Sequence, residues 1–386
     1  VKYLVILGDG MADEPIAELG NKTILQAAHT PHMDSLAARA KTLGLTKTIP
    51  DGFHPGSDVG NMSVLGYNPD LYYTGRAPIE AASMGIELAP ADLAIRCNLV
   101  TLKLEDNKLI MEDYSAGHID NSLAHRLIKL LQPEIEDESF SLYAGVSYRH
   151  LLVWHHGMTG IRYTAPHDIL GQPIAPHLPK GDGAEHIMAL MDHSREILHD
   201  EQANSIWLWG AGKRPKLQSF AEKFNVTGAV ISAVDLVKGL GILAGLEVVE
   251  VEGATGYIDT NYQGKVEATL DALRRHDFVY LHIEAPDETG HEGVLEKKVQ
   301  AVEDLDEKVV GPIINSLTDG EPFRLMLLPD HPTPLRLRTH TADPVPFLIY
   351  DSTDDRRSTA LYNEQYAKST GVLRADAYLL MDELIG

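Results

Sequence analysis

Short apolar runs that end in Gly, Asp or Pro recur along the chain: YLVILGDG, SIWLWGAG, TGAVISA, LEVVEVEG, FVYLHIEAPD and RLMLLPDH. They are rich in Val, Ile and Leu and lack clean alternation, the pattern of strands covered on both faces of a parallel sheet. Stretches of helical periodicity lie between them: ILQAAHTPHMDSLAARA, AVDLVKGLGILAGL, GKVEATLDALRRH and LEKKVQAVEDLDEKVVGPIINSL. This alternation predicts an α/β fold, a layered sheet with helices on both faces. The middle of the chain departs from it. CNLVTLKLEDNKLIMEDY and SLYAGVSYRHLLVWHH read as antiparallel strands, followed by loops rich in Pro, His and Gly. The expectation is a smaller α+β domain over 88–189 inserted into a discontinuous domain of 1–87 and 190–386, which resumes near SIWLWGAG.

Composition narrows the partners. Lys and Arg number 33 against 56 Asp and Glu, a formal charge of -23. Such a surface repels nucleic acid and anionic membrane, so neither is expected as a partner. A few cationic side chains in a cleft can still bind a small anion. The single cysteine, Cys97, excludes an intramolecular disulfide and a thiolate metal cluster, and its apolar setting AIRCNLV reads as a buried strand. The opening VKYLVILGDG reads as a strand, and no apolar run approaches the ~20 residues of a membrane span. A cytoplasmic protein is expected.

Three of the apolar runs end in metal-ligand chemistry. Asp9 follows the first, Asp287 and His291 follow FVYLHIEAP as D-E-T-G-H, and Asp330 and His331 follow RLMLLP, with His340 downstream. Ligands of open α/β sheets bind beyond the carboxyl ends of strands, so these residues can converge at one edge. Carboxylate and imidazole without thiolate suit Mn²⁺, Zn²⁺ or Mg²⁺, and two ligand sets imply two ions. Each residue has a plainer reading. An Asp after a strand is a common helix N-cap, and among 18 histidines some such spacings arise by chance. The conjunction carries the argument.

FHPGSDVGNMSVLGY places Ser57 between Gly56 and Asp58 in a Gly- and Pro-rich loop. With VILGDGMAD, GRAPIEAASMGIEL, AGVSYRH, HIEAPDETGHEG and LPDHPTP, this stretch resembles the cofactor-independent phosphoglycerate mutases of the archaeal type, in the alkaline phosphatase superfamily. The resemblance runs over nearly the whole chain. It implies an alkaline-phosphatase-like fold with two divalent ions and a small phosphorylated hydroxy acid as substrate. Ser57 would be the phosphorylated nucleophile, and Ser63 is the poorer candidate. One ion would be held by Asp9, Ser57, Asp330 and His331, the other by Asp287, His291 and His340. The inserted domain would grip the substrate, with His118 in MEDYSAGHID and Arg149 in GVSYRH as its contacts and Arg96 a further candidate. A lysine beside the nucleophile is also implied, with Lys213, Lys223 and Lys238 as candidates. The implied reaction interconverts 3- and 2-phosphoglycerate through a phosphoserine, without bisphosphoglycerate. The same nucleophile and ligands would also serve a phosphatase, or a homoserine-kinase-like phosphotransferase on another small hydroxy acid.

Overall fold

The computed structural model describes residues 1–199, 201–317 and 320–386. The chain divides into two compact units, one formed by Val1–Tyr73 with Leu217–Gly386 and the other by Thr74–Lys216.

The first unit is built on an eight-stranded sheet. Its strands run in the order Leu373–Arg374, Thr42–Thr46, Val345–Asp351, Phe323–Leu328, Lys2–Gly8, Phe278–Ile283, Gly228–Ile231 and Glu247–Val248. Val345–Asp351 is antiparallel to both neighbours, and every other pairing is parallel. The sheet is therefore mixed rather than purely parallel. Leu4 and Ile6 pack with Met33, Leu36, Val266, Ala272, Val302 and Leu305, side chains supplied by helices on one face. Val5 and Leu7 point to the opposite face, because side chains alternate along a strand, and are buried as completely. Both faces are covered, which is why these strands read as unbroken apolar runs. The layered α/β architecture expected from the sequence is the one observed.

Two predicted helices are interrupted. ILQAAHTPHMDSLAARA splits into Ile24–Ala27 and Pro31–Ala37, because Pro31 cannot continue a helix but starts the next one well. LEKKVQAVEDLDEKVVGPIINSL holds its course through a π-turn at Asp306–Val310. There the Asp306 carboxylate accepts the backbone N–H groups of His32 and Met33, at 3.2 and 2.7 Å.

The second unit is an antiparallel sheet around the long strand Leu93–Glu105. That strand pairs with Lys108–Asp113, Arg149–Trp154 and Ser205–Lys213, and Phe140–Val146 completes the edge. Helices Asn121–Ile135 and Ala184–Leu198 contribute Leu127, Ile128, Leu131, Ile187 and Met191 to its core. The unit extends beyond the expected limits of 88 and 189. Ala77 and Ala81 of helix Ala77–Ser83 pack on Ala94, Leu151 and Val153. SIWLWGAG, read as part of the parallel sheet, is instead the antiparallel partner of Leu93–Val100. A strand paired on one side only, but covered on both faces, carries the same continuous apolar run. Cys97 lies fully buried within Leu93–Glu105.

Candidate active site

Lys2–Gly8 sits between Phe323–Leu328 and Phe278–Ile283 in parallel register, so the carboxyl ends of three adjacent strands open on one edge. Asp9 leaves the first, Asp330 and His331 the second, and Asp287 the third, at the start of helix Ala285–Glu292. No helix begins at Asp9, so its carboxylate is not an N-cap. It is 1 % exposed. Its Oδ2 lies 2.8 Å from His282 Nε2, while Oδ1 meets no hydrogen-bond partner among the described residues. Gly10 follows at φ 61°, and a Cβ there would stand 2.8 Å from Asp287 Cα. Only glycine allows both the left-handed turn and the close approach of the two strand ends.

Ser57 is the first residue of helix Ser57–Val64, with Gly56 as its N-cap. The loop through Pro50 and Pro55 thus ends at Ser57, and Ser63 lies buried near the far end of that helix. Ser57 Oγ lies 3.0 Å from His331 Nε2. One turn on, Asn61 Nδ2 donates to Ser57 O and to Asp330 Oδ2, both at 2.8 Å, and Tyr280 donates its hydroxyl proton to Asn61 Oδ1 at 2.8 Å. The helix N-terminus thereby faces the acidic cluster, with its free N–H groups available to an anion.

Asp287 and His291 are four residues apart on one helical face. His291 Nε2 lies 3.1 Å from Asp287 Oδ2 and 3.0 Å from His340 Nε2, and His340 Nε2 lies 3.4 Å from Asp287 Oδ1. His291 Nδ1 is 2.9 Å from Arg338 O. A carbonyl can only accept, so Nδ1 carries a proton and Nε2 is the nitrogen left to face an ion. Two groups of donor atoms result, Asp287 with His291 and His340, and Asp9 with Asp287 and His331, each within 4.8 Å of one another. Asp330 Oδ2 and Asp9 Oδ1 lie 3.4 and 3.5 Å from His331 Nε2. Asp287 belongs to both groups, where the resemblance assigns it to one.

Buried, crowded carboxylates dominate the electrostatics of the site. Burial, then the carboxylates of Asp330, Asp287 and Glu284, push the Asp9 carboxyl well above its usual range. Burial and the neighbouring Glu288 and Asp287 raise Glu284 to about 8. Burial acts on Asp287 in the same direction but is outweighed by His291 and His340, which hold it well below the usual range. Burial keeps His282 low, at about 4, and lowers His331. Buried carboxylates this close together, one of them with an orphaned oxygen, are costly unless a cation compensates them. Oxygen and imidazole donors suit a hard or borderline divalent ion. The residues fit the ions that the sequence implies.

Three participants escaped the sequence analysis. His282 lies in the middle of Phe278–Ile283, and its one signal is a polar residue in an otherwise apolar run. Asn61 lies one helical turn after Ser57. Thr333 donates its hydroxyl to Asp287 Oδ1, and its Oγ1 lies 3.3 Å from His331 Nδ1. Of the lysines considered, Lys238 binds Glu250 at 2.7 Å, Lys223 lies 4.9 Å over the ring of Phe224, and Lys213 belongs to the second unit. The field of a different lysine acts on Glu284 and His282. It is Lys265, 1 % exposed and lowered to about 8 by burial.

The other three candidates lie in the second unit. His118 is exposed at φ 51°, in a loop organised by Asp113, which accepts from Ser115 N, Ser115 Oγ and Gly117 N at 2.7, 2.7 and 2.8 Å. The His118 ring is 5.8 Å from that of Tyr148, and the exposed Arg149 guanidinium sits 5.5 Å over the same tyrosine. Arg96 differs. It is 7 % exposed, stacks 4.0 Å over Trp209 and donates to Glu80 at 2.9 Å, while Arg76 binds the other oxygen of Glu80.

Comparison with known proteins places this geometry among relatives. The family described as 2,3-bisphosphoglycerate-independent phosphoglycerate mutase matches residues 38–204. A Geobacter sulfurreducens protein named "Probable 2,3-bisphosphoglycerate-independent phosphoglycerate mutase" is 53% identical, over 100% of both chains. The 2,3-bisphosphoglycerate-independent phosphoglycerate mutase of Methanosarcina acetivorans is 50% identical over 97% of this chain and 98% of its own. Among solved structures, the cofactor-independent phosphoglycerate mutase of Thermoplasma acidophilum DSM 1728 is similar at a TM-score of 0.68 and 29% identity, covering 100% of this chain and 98% of its own.

Proposed function

Because the chain belongs to the 2,3-bisphosphoglycerate-independent phosphoglycerate mutases, we propose that it interconverts 3- and 2-phosphoglycerate through a phosphoserine on Ser57 at a two-ion site. Asp9, Ser57, Asp330 and His331 would hold one ion, and Asp287, His291 and His340 the other. Mn²⁺, Zn²⁺ or Mg²⁺ bound there would neutralise the charge of the transferring phosphoryl group and lower the cost of ionising the serine hydroxyl.

The chain's own residues do the rest. Ser57 Oγ attacks phosphorus, the bond from phosphorus to the substrate oxygen breaks, and the released glycerate hydroxyl takes up a proton. The N–H groups at the start of helix Ser57–Val64 face the phosphate on Oγ. Asn61 anchors that turn to Asp330 through its two hydrogen bonds. The glycerate reorients and its other hydroxyl takes the phosphoryl group back, restoring Ser57. Arg149 and His118 on the second unit would bind the substrate's anionic groups, the guanidinium as a bidentate partner. Arg96, committed to Glu80 and Trp209, would support that surface rather than touch substrate. A multiply ionised phosphate ester does not cross a bilayer unaided, which agrees with a cytoplasmic enzyme; no helix among the described residues is long and apolar enough to span a membrane.

The observation that carries this reading is Ser57 Oγ at a helix N-terminus, beside His331 Nε2 and the acid cluster with its orphaned Asp9 oxygen. Acid quenching during turnover of 3-phosphoglycerate, followed by peptide mapping, should find phosphate on Ser57. Phosphate mapped to another residue would overturn the assignment.

A further inference from the structure

Lys298 lies on helix Leu295–Leu305, is 0 % exposed, and donates to no candidate ligand atom. An ammonium has three protons, and this one has three acceptors: Asp13 Oδ2 at 2.9 Å, Thr333 O at 2.7 Å and Ala12 O at 3.3 Å. Ala12 and Asp13 belong to the segment that starts with Asp9. Thr333 belongs to the segment of Asp330 and His331.

The same two segments are zipped together beside it. Met11 and Ala12 bridge to Pro332, Thr333 N donates to Ala12 O at 3.2 Å, and Leu335 N donates to Asp13 Oδ2 at 3.2 Å. Asp13 N is held in turn by Glu364 Oε1 at 3.1 Å. Thr333 carries the connection to the third segment through its hydroxyl on Asp287. A buried charge outside the ligand set thus fastens the segments that carry the ligands.

We infer that Lys298, paired with Asp13, is a positioning residue that fixes the spacing between Asp9 and the Asp330–His331 pair before any ion binds. The inference rests on the two-ion reading above. Groups that orient ligands without touching the ion tune its affinity, because loose ligands must be ordered when it binds. Removing one member would leave the other charge buried and unpaired, whereas replacing both with apolar side chains of similar volume is tolerated far better.

The test uses the full chain and two variants, Asp13→Asn and the double variant Lys298→Met with Asp13→Leu. Mn²⁺ binding is measured by competition with a chelating dye, and the melting temperature of the metal-free protein is measured alongside. Both variants are expected to fold and to bind Mn²⁺ about 10- to 100-fold more weakly. Without metal the double variant should melt near the parent, and Asp13→Asn below it because Lys298 keeps its buried charge. Folded variants with affinities within about threefold of the parent would overturn the inference. So would failure of both variants to fold, since the pair would then hold the fold rather than the site. A parent chain that binds none of Mn²⁺, Zn²⁺ and Mg²⁺ would overturn the ion reading itself, an outcome distinct from unchanged affinity in the variants.

Discussion

Ser57 Oγ and His331 Nε2 lie 3.0 Å apart although 274 residues separate them in sequence. One starts a helix and the other follows a central strand, and Asn61 ties the two elements through Asp330. A serine held by secondary structure on both sides is positioned before substrate arrives. Alanine at 57 should therefore cut isomerisation by orders of magnitude while the fold and most metal binding survive. Steady-state rates and metal analysis on the purified variant check this, and activity above about a tenth of the parent's would exclude Ser57 as nucleophile.

Metal removal is the second expectation. Chelation should abolish activity reversibly, and Mn²⁺, Zn²⁺ or Mg²⁺ should restore it to different extents. Each ion should also raise the melting temperature of the metal-free chain, because it binds the folded state and relieves repulsion among Asp9, Asp287 and Asp330. Asp287→Ala should lower metal content more than Asp330→Ala, since Asp287 belongs to both donor groups. Full occupancy in both variants, read by elemental analysis, would contradict the two-ion site.

Arg149 and Arg96 should separate in their effects. Arg149→Ala should weaken use of phosphoglycerate and leave the melting temperature nearly unchanged, because that guanidinium is exposed. Arg96→Ala should cost about 2 kcal/mol of stability, since it strips one of two partners from the part-buried Glu80 carboxylate and empties the buried place over Trp209. Thermal melts alongside KM and kcat distinguish the two. Similar stability losses in both would mean that Arg149 also supports the fold.

The two arginines also show what could be read in advance. Asp9, Asp287 and Asp330 were legible because each ends an apolar run, and strand ends converge in a layered sheet. His291 was legible from its helical spacing to Asp287. Arg96 resembles a substrate contact in sequence, and its commitment to Glu80 and Trp209 needs the strand pairing of Leu93–Val100 with Ser205–Lys213. That pairing was not legible, because an apolar run does not state which sheet it joins. Thr333 and Lys298 were hidden for a similar reason: their roles lie in hydrogen bonds that loops make only after the strands have brought them together.

His150 predicts a pH dependence in the second unit. Its Nδ1 accepts the Gly145 N–H at 2.9 Å, and burial, with the nearby His125, lowers its pKa from 6.5 to about 3. The unfolded chain protonates this ring below about 6.5 and the folded chain does not. Its contribution is thus fully present above that pH and is lost as pH falls toward about 3. At about 1.4 kcal/mol per pH unit, the ring is worth up to about 5 kcal/mol at the acid end. Urea midpoints from pH 7 to 4 should fall more steeply for the parent than for His150→Asn, which keeps an acceptor but cannot take the proton. Parallel curves would contradict this.

The central claim is that phosphate leaves Ser57 for the glycerate that delivered it and not for water. Water at about 55 M competes unless it is excluded and the glycerate is held at high effective molarity. The direct measurement follows ³²P-labelled 3-phosphoglycerate with Mn²⁺ and no bisphosphoglycerate, counting label in 2-phosphoglycerate and in inorganic phosphate. The expected result is rapid approach to the 3- and 2-phosphoglycerate equilibrium, with phosphate release slower by orders of magnitude. Inorganic phosphate as the main labelled product would contradict the account and indicate a phosphatase.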